Sequence, residues 1–156
     1  MKKNLFILFA SLVAVFLSSC NKPQPTVDPR DAFVGEYFFT SDGSVDMYAG
    51  AIKVGTVPLG NEGDMTLKLS ADPGKIWVLS EGDSIAAYVA GNCLFMEPDS
   101  NQYTFQTLLI TLAFSYGKAT LENNVLNIPA DVSVNMDYKG LELQGNGHID
   151  VVATKK

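Results

Sequence analysis

The sequence predicts an all-β domain whose antiparallel strands follow one another in hairpins and close into an up-and-down barrel. Apolar and polar residues alternate along most of the chain after Gly35, which is typical of strands with one buried and one wet face. Turn-forming residues interrupt this alternation at short intervals, and they divide the chain into about eight to ten strands. Closure of these strands would leave no exposed edges. A two-sheet β-sandwich is the alternative architecture.

The composition indicates a single acidic globular domain. The chain has 156 residues, of which 47% are hydrophobic and 18% charged, and its net charge is −6. This length excludes a multidomain enzyme, since one domain usually takes about 100–150 residues. Seventeen acidic residues against eleven basic ones argue against nucleic acid as a partner, because phosphates need a basic surface.

The first element of the chain is predicted to be a signal peptide, residues 1–19. Lys2 and Lys3 precede an apolar run from Leu5 to Leu17. A helix of that run would span about 20 Å, which is shorter than the hydrocarbon core of about 30 Å. The run is therefore a targeting segment rather than a membrane span.

The end of the apolar run resembles the bacterial lipobox, Leu17-Ser18-Ser19-Cys20. In this motif the cysteine thiol accepts a diacylglycerol group before cleavage, and two or three acyl chains then anchor a protein firmly. We expect lipidation at Cys20 and a membrane as the partner of this anchor. Asn21 takes the place of the aspartate that retains lipoproteins in the inner membrane, which favours the outer membrane, with the domain facing the periplasm or the cell surface.

The next element is a short tether. Residues 20–30 include the lipidated cysteine and three prolines, and they show no apolar periodicity. The barrel domain is expected to occupy residues 31–156. Its turn signals are Ser41-Asp42-Gly43, Gly60-Asn61-Glu62-Gly63, Asp72-Pro73-Gly74, Glu81-Gly82-Asp83, Gly91-Asn92, Pro98-Asp99-Ser100, Gly117-Lys118, Asn123-Asn124 and Lys139-Gly140.

Alternation is clearest near the C-terminus. From Leu141 to Ala153 the odd-numbered positions are mostly apolar or glycine, and the even-numbered positions are polar except for Val152. Residues 131–138 alternate in the same way. The segment Tyr103–Tyr116 is apolar on both parities, so it predicts a strand that is covered on both faces or a strand whose outer face contacts a partner.

The stretch from Asp28 to Tyr37, DPRDAFVGEY, resembles the small lipocalin-like, or calycin-like, β-barrel lipoproteins of Bacteroidetes. Gly35-Glu36-Tyr37 is similar to the lipocalin Gly-x-Trp motif, which follows a 3₁₀ turn at one barrel end. In lipocalins an arginine of the last strand stacks on that ring, whereas the only arginine here, Arg30, precedes the first strand. The resemblance implies a closed barrel in the cell envelope and implies no particular activity.

The residues give little sign of catalysis. The single histidine, His148, lies on the polar parity of the last strand, where a solvated position is expected. We expect no catalytic residues, no metal and no cofactor, and hence no enzyme. Cys93 is the one thiol left after lipidation, and it is expected in the core as an inert residue.

Four aromatic residues are candidates for lining a ligand cavity in the barrel: Trp77, Tyr88, Phe95 and Tyr103. On this hypothesis the protein is a non-enzymatic, lipid-anchored protein that binds a small apolar ligand or a glycan. The alternative is a structural or protein-interaction module of the envelope, with a filled barrel and an envelope protein as its partner. An empty cavity would favour the first hypothesis, and a filled interior would favour the second.

Overall fold

The computed structural model describes residues 27–105, 108–138 and 140–156. The predicted signal peptide, Cys20 and most of the predicted tether lie outside these residues. Within them, the chain forms a 3₁₀ helix, Pro29–Ala32, and eleven strands in one antiparallel sheet. The strands are β1 (Gly35–Ala49), β2 (Ile52–Pro58), β3 (Asn61–Leu69), β4 (Lys75–Ser80), β5 (Asp83–Ala90), β6 (Cys93–Met96), β7 (Asp99–Phe105), β8 (Leu108–Tyr116), β9 (Lys118–Glu122), β10 (Val125–Tyr138) and β11 (Leu141–Lys155).

Eight of the described strands close into an antiparallel barrel, so the prediction of an all-β barrel is confirmed. The order around the barrel is β1, β3, β4, β5, β6, β9, β10 and β11, and β11 pairs with β1. Neighbours around the barrel are also successive along the chain once β2 and the pair β7–β8 are set aside. The barrel is therefore an up-and-down meander with two excursions, and the fold is not a sandwich.

The barrel interior is a packed core. Alternate residues of each strand point inward, and Tyr37, Leu67 and Leu94 are fully buried. No polar or charged residue is buried in the described part of the chain. The interior of an eight-stranded barrel is just wide enough for side chains to fill it. The buried side chains that do so are Phe33, Tyr37, Met65, Leu67, Ile76, Val78, Ala87, Leu94, Met96, Ala119, Leu126, Ile128 and Ala153.

The 3₁₀ helix closes one end of the barrel. The buried Tyr37 hydroxyl donates a hydrogen bond to the Phe33 carbonyl oxygen at 2.7 Å. Lys155, on the last strand, donates from its ammonium group to the Ala32 carbonyl oxygen at 3.2 Å. Gly35 makes room for this lysine, since a Cβ there would lie 2.6 Å from Lys155 Cε. Its φ of +151° is also one that other residues rarely adopt.

Arg30 fixes the start of the domain against the β3–β4 turn. Its guanidinium group forms a forked ion pair with Asp28, with a shortest distance of 2.6 Å. It also donates to the carbonyl oxygens of Ser70, Asp72 and Lys75. Asp28 and Arg30 therefore belong to the folded domain, although the predicted tether included both residues.

Three long strands continue past the barrel into a second sheet. β1, β10 and β11 have 14 or 15 residues each. Beyond the barrel, β1 pairs with β2, while β10 pairs with β8, which carries β7. We call this part the extension sheet; it comprises β2, β7, β8 and the segments 44–49, 130–138 and 141–149. It lies at the end of the barrel opposite to the 3₁₀ helix.

The extension sheet has an apolar inner face, which forms a hydrophobic cluster separate from the barrel core, and a polar outer face. Val45, Met47, Val132 and Val134 are buried on the inner face. The outer face carries the opposite parity of β10 and β11, which the sequence predicted to be wet. The alternation predicted for residues 131–138 and 141–153 agrees with the observed burial at the described side chains except Leu141, which is 54% exposed at the start of β11.

Two local predictions were wrong. Ser41-Asp42-Gly43 is not a turn, because β1 continues through it and pairs with β11 on one side without interruption. The segment Tyr103–Tyr116 is not one strand, because its first residues belong to β7 and the rest to β8. Turn-forming residues do not break a strand whose two neighbours supply its hydrogen bonds.

Candidate functional site on the extension sheet

A groove lies on the polar outer face of the extension sheet. Its volume is about 520 Å³, within the range of roughly 300–1,000 Å³ that is usual for small-ligand sites. Strands β7, β8, β10 and β11 form it. The lining residues are Pro98, Asp99, Ser100, Ala113, Phe114, Ser115, Asp131, Val132, Ser133, Asn146 and Gly147.

Strand register brings the polar lining of the groove together. Ser133 of β10 lies opposite Ala113 of β8 and Asn146 of β11. One step along the same face, Asp131 lies opposite Ser115 and His148. Because alternate residues of a strand share a face, hydroxyl, amide and carboxylate groups from three strands point to the same side of the sheet.

A second, smaller hollow of about 270 Å³ continues the polar face away from the barrel. Its polar lining includes Thr111, Asn135 and Gln144, which are paired across β8, β10 and β11. These residues form the next row beside Ala113, Ser133 and Asn146. The two hollows therefore follow one another along a single face and can hold an elongated ligand.

His148 is held by two carboxylates at the edge of the groove. Its Nδ1 lies 2.9 Å from Asp131 Oδ1, and its Nε2 lies 3.4 Å from Asp150 Oδ1. The hydrogen bond with Asp131, together with the negative charge of Asp150, raises the pKa of His148 above its usual value. Since both ring nitrogens face carboxylates, the arrangement favours an imidazolium ion over a base that activates a serine.

Glycines allow the sheet to coil tightly behind the groove. A Cβ at Gly147 would collide with the carbonyl oxygen of Ser44, and a Cβ at Gly145 would lie 2.5 Å from Met47 Sδ and from Val45 Cγ1. β1 therefore approaches β11 more closely than side chains would permit. Gly147 also lines the groove, so this close approach lies directly behind it.

The aromatic residues predicted to line a cavity lie elsewhere. Trp77, Tyr88 and Phe95 are on the outer wall of the barrel and are 40–44% exposed. Their neighbours in sequence, such as Ile76 and Leu94, take the inward positions. The expected location of these three residues in a barrel cavity was therefore wrong. Tyr103 lies on β7, and its side chain is outside what the structure describes.

Cys93 is also on the outward parity rather than in the core. It is partly exposed, and its Sγ lies 3.5 Å from the side-chain oxygen of Asn92.

In the part of the chain that the structure describes, no three His, Cys, Asp or Glu side chains are grouped so as to hold a metal ion. The same residues contain no helix long and apolar enough to cross a membrane.

The sequence marked the groove residues only as polar positions of strands. Ser133, Asn135 and Asn146 alternate with apolar residues, and this pattern assigns their face without assigning their neighbours. Ser115 and His148 are 33 positions apart in sequence, and only the pairing of both strands with β10 brings them to one site. No local motif signals such a site.

Comparison with known proteins gives a distant structural similarity. No family model matches the sequence, and no curated protein sequence matches it. Among solved structures, the chain is similar to the ywiB protein from Bacillus subtilis, with 11% sequence identity and a TM-score of 0.28. That alignment covers 78% of this chain and 93% of the other.

Proposed function

We propose that the protein is a lipid-anchored, non-enzymatic binding protein of the bacterial outer membrane, and that it binds a neutral glycan in the groove of the extension sheet. The observation that carries this proposal is the contrast between a filled barrel and an open, polar groove outside it. The proposal keeps the class of ligand expected from the sequence and moves its site.

The chemistry of the groove supports a glycan. Sugar hydroxyls both donate and accept hydrogen bonds, and the groove offers Ser100, Ser133 and Asn146 beside the carboxylates of Asp99 and Asp131. Apolar lining residues can pack against the C–H faces of a sugar ring. The second hollow extends the surface for further sugar units.

The lipid anchor rests on the lipobox at residues 17–20 and on the resemblance to calycin-like envelope lipoproteins. The arrangement of the barrel end supports that resemblance. A 3₁₀ helix precedes Gly35-Glu36-Tyr37, and Lys155 of the last strand places its ammonium group 5.9 Å from the Tyr37 ring centroid. A lysine thus takes the place of the arginine that is usual in lipocalins.

A protein-interaction role is the second candidate, and β2 is the observation that favours it. This edge strand pairs only with β1 among the described strands, and every residue of it is exposed. Ile52 and Val54 are 71% and 55% exposed. An exposed apolar edge can accept a strand from a partner.

Glycan binding can be tested with the acylated protein, purified in detergent, on an array of neutral and charged oligosaccharides. We expect binding to neutral glycans, and Asn146→Ala should weaken it by about tenfold, since one lost hydrogen bond costs about 1–1.5 kcal/mol. Asn127→Ala is the matched control, because Asn127 is exposed on β10 outside the groove. Equal binding by both variants, or no glycan bound, would overturn the proposal.

The second candidate predicts a different result. If β2 binds a partner strand, replacing Ile52 and Val54 by serine should abolish a native complex detected by mass spectrometry, whereas Asn146→Ala should leave it intact. A complex of two copies of this chain that the same substitutions abolish would show that the partner is a second copy.

A further inference from the structure

We propose that the outer wall formed by β4, β5, β6 and β9 lies against the anionic headgroup region of the membrane when the protein is anchored. This inference rests on the proposed lipid anchor and goes beyond it, because an anchor alone leaves the orientation of the domain free. It assigns a role to the three aromatic residues that the groove does not use.

The aromatic side chains form one connected surface. Tyr88 pairs with Phe95 across β5 and β6, and Trp77 lies on β4 one row further along the same wall. Ala86 stands opposite Trp77, so its small side chain leaves the indole uncovered. Trp77, Tyr88 and Phe95 are 40%, 43% and 44% exposed, so three large rings face solvent side by side. We call these three residues the aromatic wall.

Lysines border the aromatic wall in register. Lys75 and Lys118 occupy the two ends of the row that contains Tyr88 and Phe95, and Lys68 pairs with Trp77. The Lys75 ammonium group lies 4.7 Å from the Tyr88 ring centroid. In the two rows that contain these aromatic residues, the only acidic residue found among the described residues is Glu97, 3.9 Å from Lys75, whereas Asp83 and Glu122 lie at the far ends of β5 and β9.

This local excess of positive charge is opposite in sign to the chain as a whole, which carries −6. Trp and Tyr concentrate at membrane–water interfaces, because their rings are apolar while their N–H and O–H groups remain hydrated. Lysines near an anionic leaflet are attracted to its headgroups. The combination fits an anionic lipid surface better than it fits a neutral or basic protein.

The position at which the predicted tether joins the domain also indicates this wall. Arg30 pins the start of the domain to the carbonyl oxygens of Ser70 and Lys75, and Lys75 is itself part of the wall. Residues 20–27 span at most about 25 Å when extended. Lipid on Cys20 therefore holds the membrane close to the end of the barrel where the aromatic wall begins. Val27, at the start of the described chain, is 80% exposed, and Leu69 beside this end is 47% exposed.

This orientation also separates the two surfaces of the protein. The tether and the aromatic wall are near one end of the barrel, while the groove lies on the extension sheet beyond the other end. The membrane would thus leave the groove open to solvent.

The single tryptophan of the chain makes the inference directly testable. The acylated full chain is reconstituted into phosphatidylglycerol–phosphatidylethanolamine vesicles, with or without lipids brominated on the acyl chains near the glycerol backbone. We expect brominated lipid to reduce Trp77 emission by at least about twofold, as for residues at the interface. Vesicles should also protect Trp77 from aqueous acrylamide.

The matched control moves the tryptophan to β11, which lies across the barrel from β5. Val152 on β11 is 41% exposed, close to the value for Trp77. In a protein with Trp77→Phe and Val152→Trp, brominated lipid should leave the emission almost unchanged. Equal quenching at the two positions, or none at Trp77, would overturn the proposed orientation.

A second pair of variants tests the lysines. Lys68→Gln with Lys118→Gln should lower the quenching of Trp77 towards the level of the control position, while Lys53→Gln with Lys156→Gln should not. If Trp77 is protected from acrylamide in native membranes but is not quenched by brominated lipid, a protein covers the wall and the inference is wrong.

The intact mass of the purified protein distinguishes failure of the anchor from failure of the orientation. Acylation at Cys20 without quenching of Trp77 overturns only the orientation. A protein without acyl groups would overturn the proposed lipid anchor, and the proposed orientation would then also be wrong.

Discussion

The ammonium group of Lys155 lies 5.9 Å from the centroid of the Tyr37 ring, across the first and last strands of the barrel. The two residues are cross-strand partners, and together with Gly35 they hold the 3₁₀ helix over the barrel end. Closure of the barrel thus joins its two terminal strands at one cluster. The same cluster fixes the position of the 3₁₀ helix, which follows the predicted tether.

Loss of the Tyr37 hydroxyl should destabilise the domain. Tyr37→Phe leaves the Phe33 carbonyl oxygen without the hydrogen bond that it accepts from Tyr37, which costs about 1–3 kcal/mol of unfolding free energy. Urea denaturation followed by circular dichroism measures this change. Tyr88→Phe is the control, because Tyr88 is exposed, and it should leave the denaturation midpoint nearly unchanged. Equal stability of the two variants would contradict the buried position of Tyr37.

The filled interior predicts opposite responses at two neighbouring residues. Leu94 is fully buried and Phe95 is 44% exposed. Leu94→Ala should cost about 2–5 kcal/mol through the cavity that it leaves, whereas Phe95→Ala should cost under about 1 kcal/mol. Thermal denaturation of both variants gives the comparison. Tight binding of a fatty-acid probe by the wild-type barrel interior would show that the core is not packed.

The coiling of the sheet predicts a large difference between two glycines. Gly147→Ala places a Cβ against the Ser44 backbone and should destabilise the protein by about 2–4 kcal/mol. Gly55→Ala meets no atom within 4 Å and should change stability by under about 1 kcal/mol. Denaturation curves and the glycan array should both separate the variants, since Gly147 also lines the groove. Similar stability of the two would refute the tight strand contact.

His148 should titrate at a higher pH than an isolated histidine. Its folded-state pKa is raised by Asp131 first, and by Asp150. The ion pair therefore adds to stability below the usual histidine pKa of about 6.5, and this contribution is lost as the pH rises through the raised value. NMR titration of the imidazole measures the shift. Asp131→Asn should return the pKa towards its usual value, and an unshifted wild-type histidine would argue against the pairing.

The strands with clean alternation could be predicted from sequence alone, together with the face that each side chain takes. Residues 141–153 are the clearest case, because a period of two is a local property of an extended chain. The turn at Asn123-Asn124 was equally local, since both residues adopt positive φ. By contrast, Ser41-Asp42-Gly43 has the composition of a turn, yet neighbouring strands keep it extended.

The groove could not be predicted in the same way, because it depends on register between strands. Asp131 meets His148 only through the pairing of β10 with β11, and Ser115 joins them only because β8 adds to β10. The separation of these residues along the sequence does not indicate which strands pair. The polar character of each position was visible, but its neighbours were not.

The sequence by itself determined the class of fold, because alternation decides which side of each strand is buried. It could not orient Ile76, Trp77 and Val78, since a continuous apolar run has no polar residue to mark the outer face. Only the closed barrel decided that question: the smaller aliphatic side chains fit its narrow interior, and the indole of Trp77 was left outside. The surface that we propose for the membrane is a consequence of that packing.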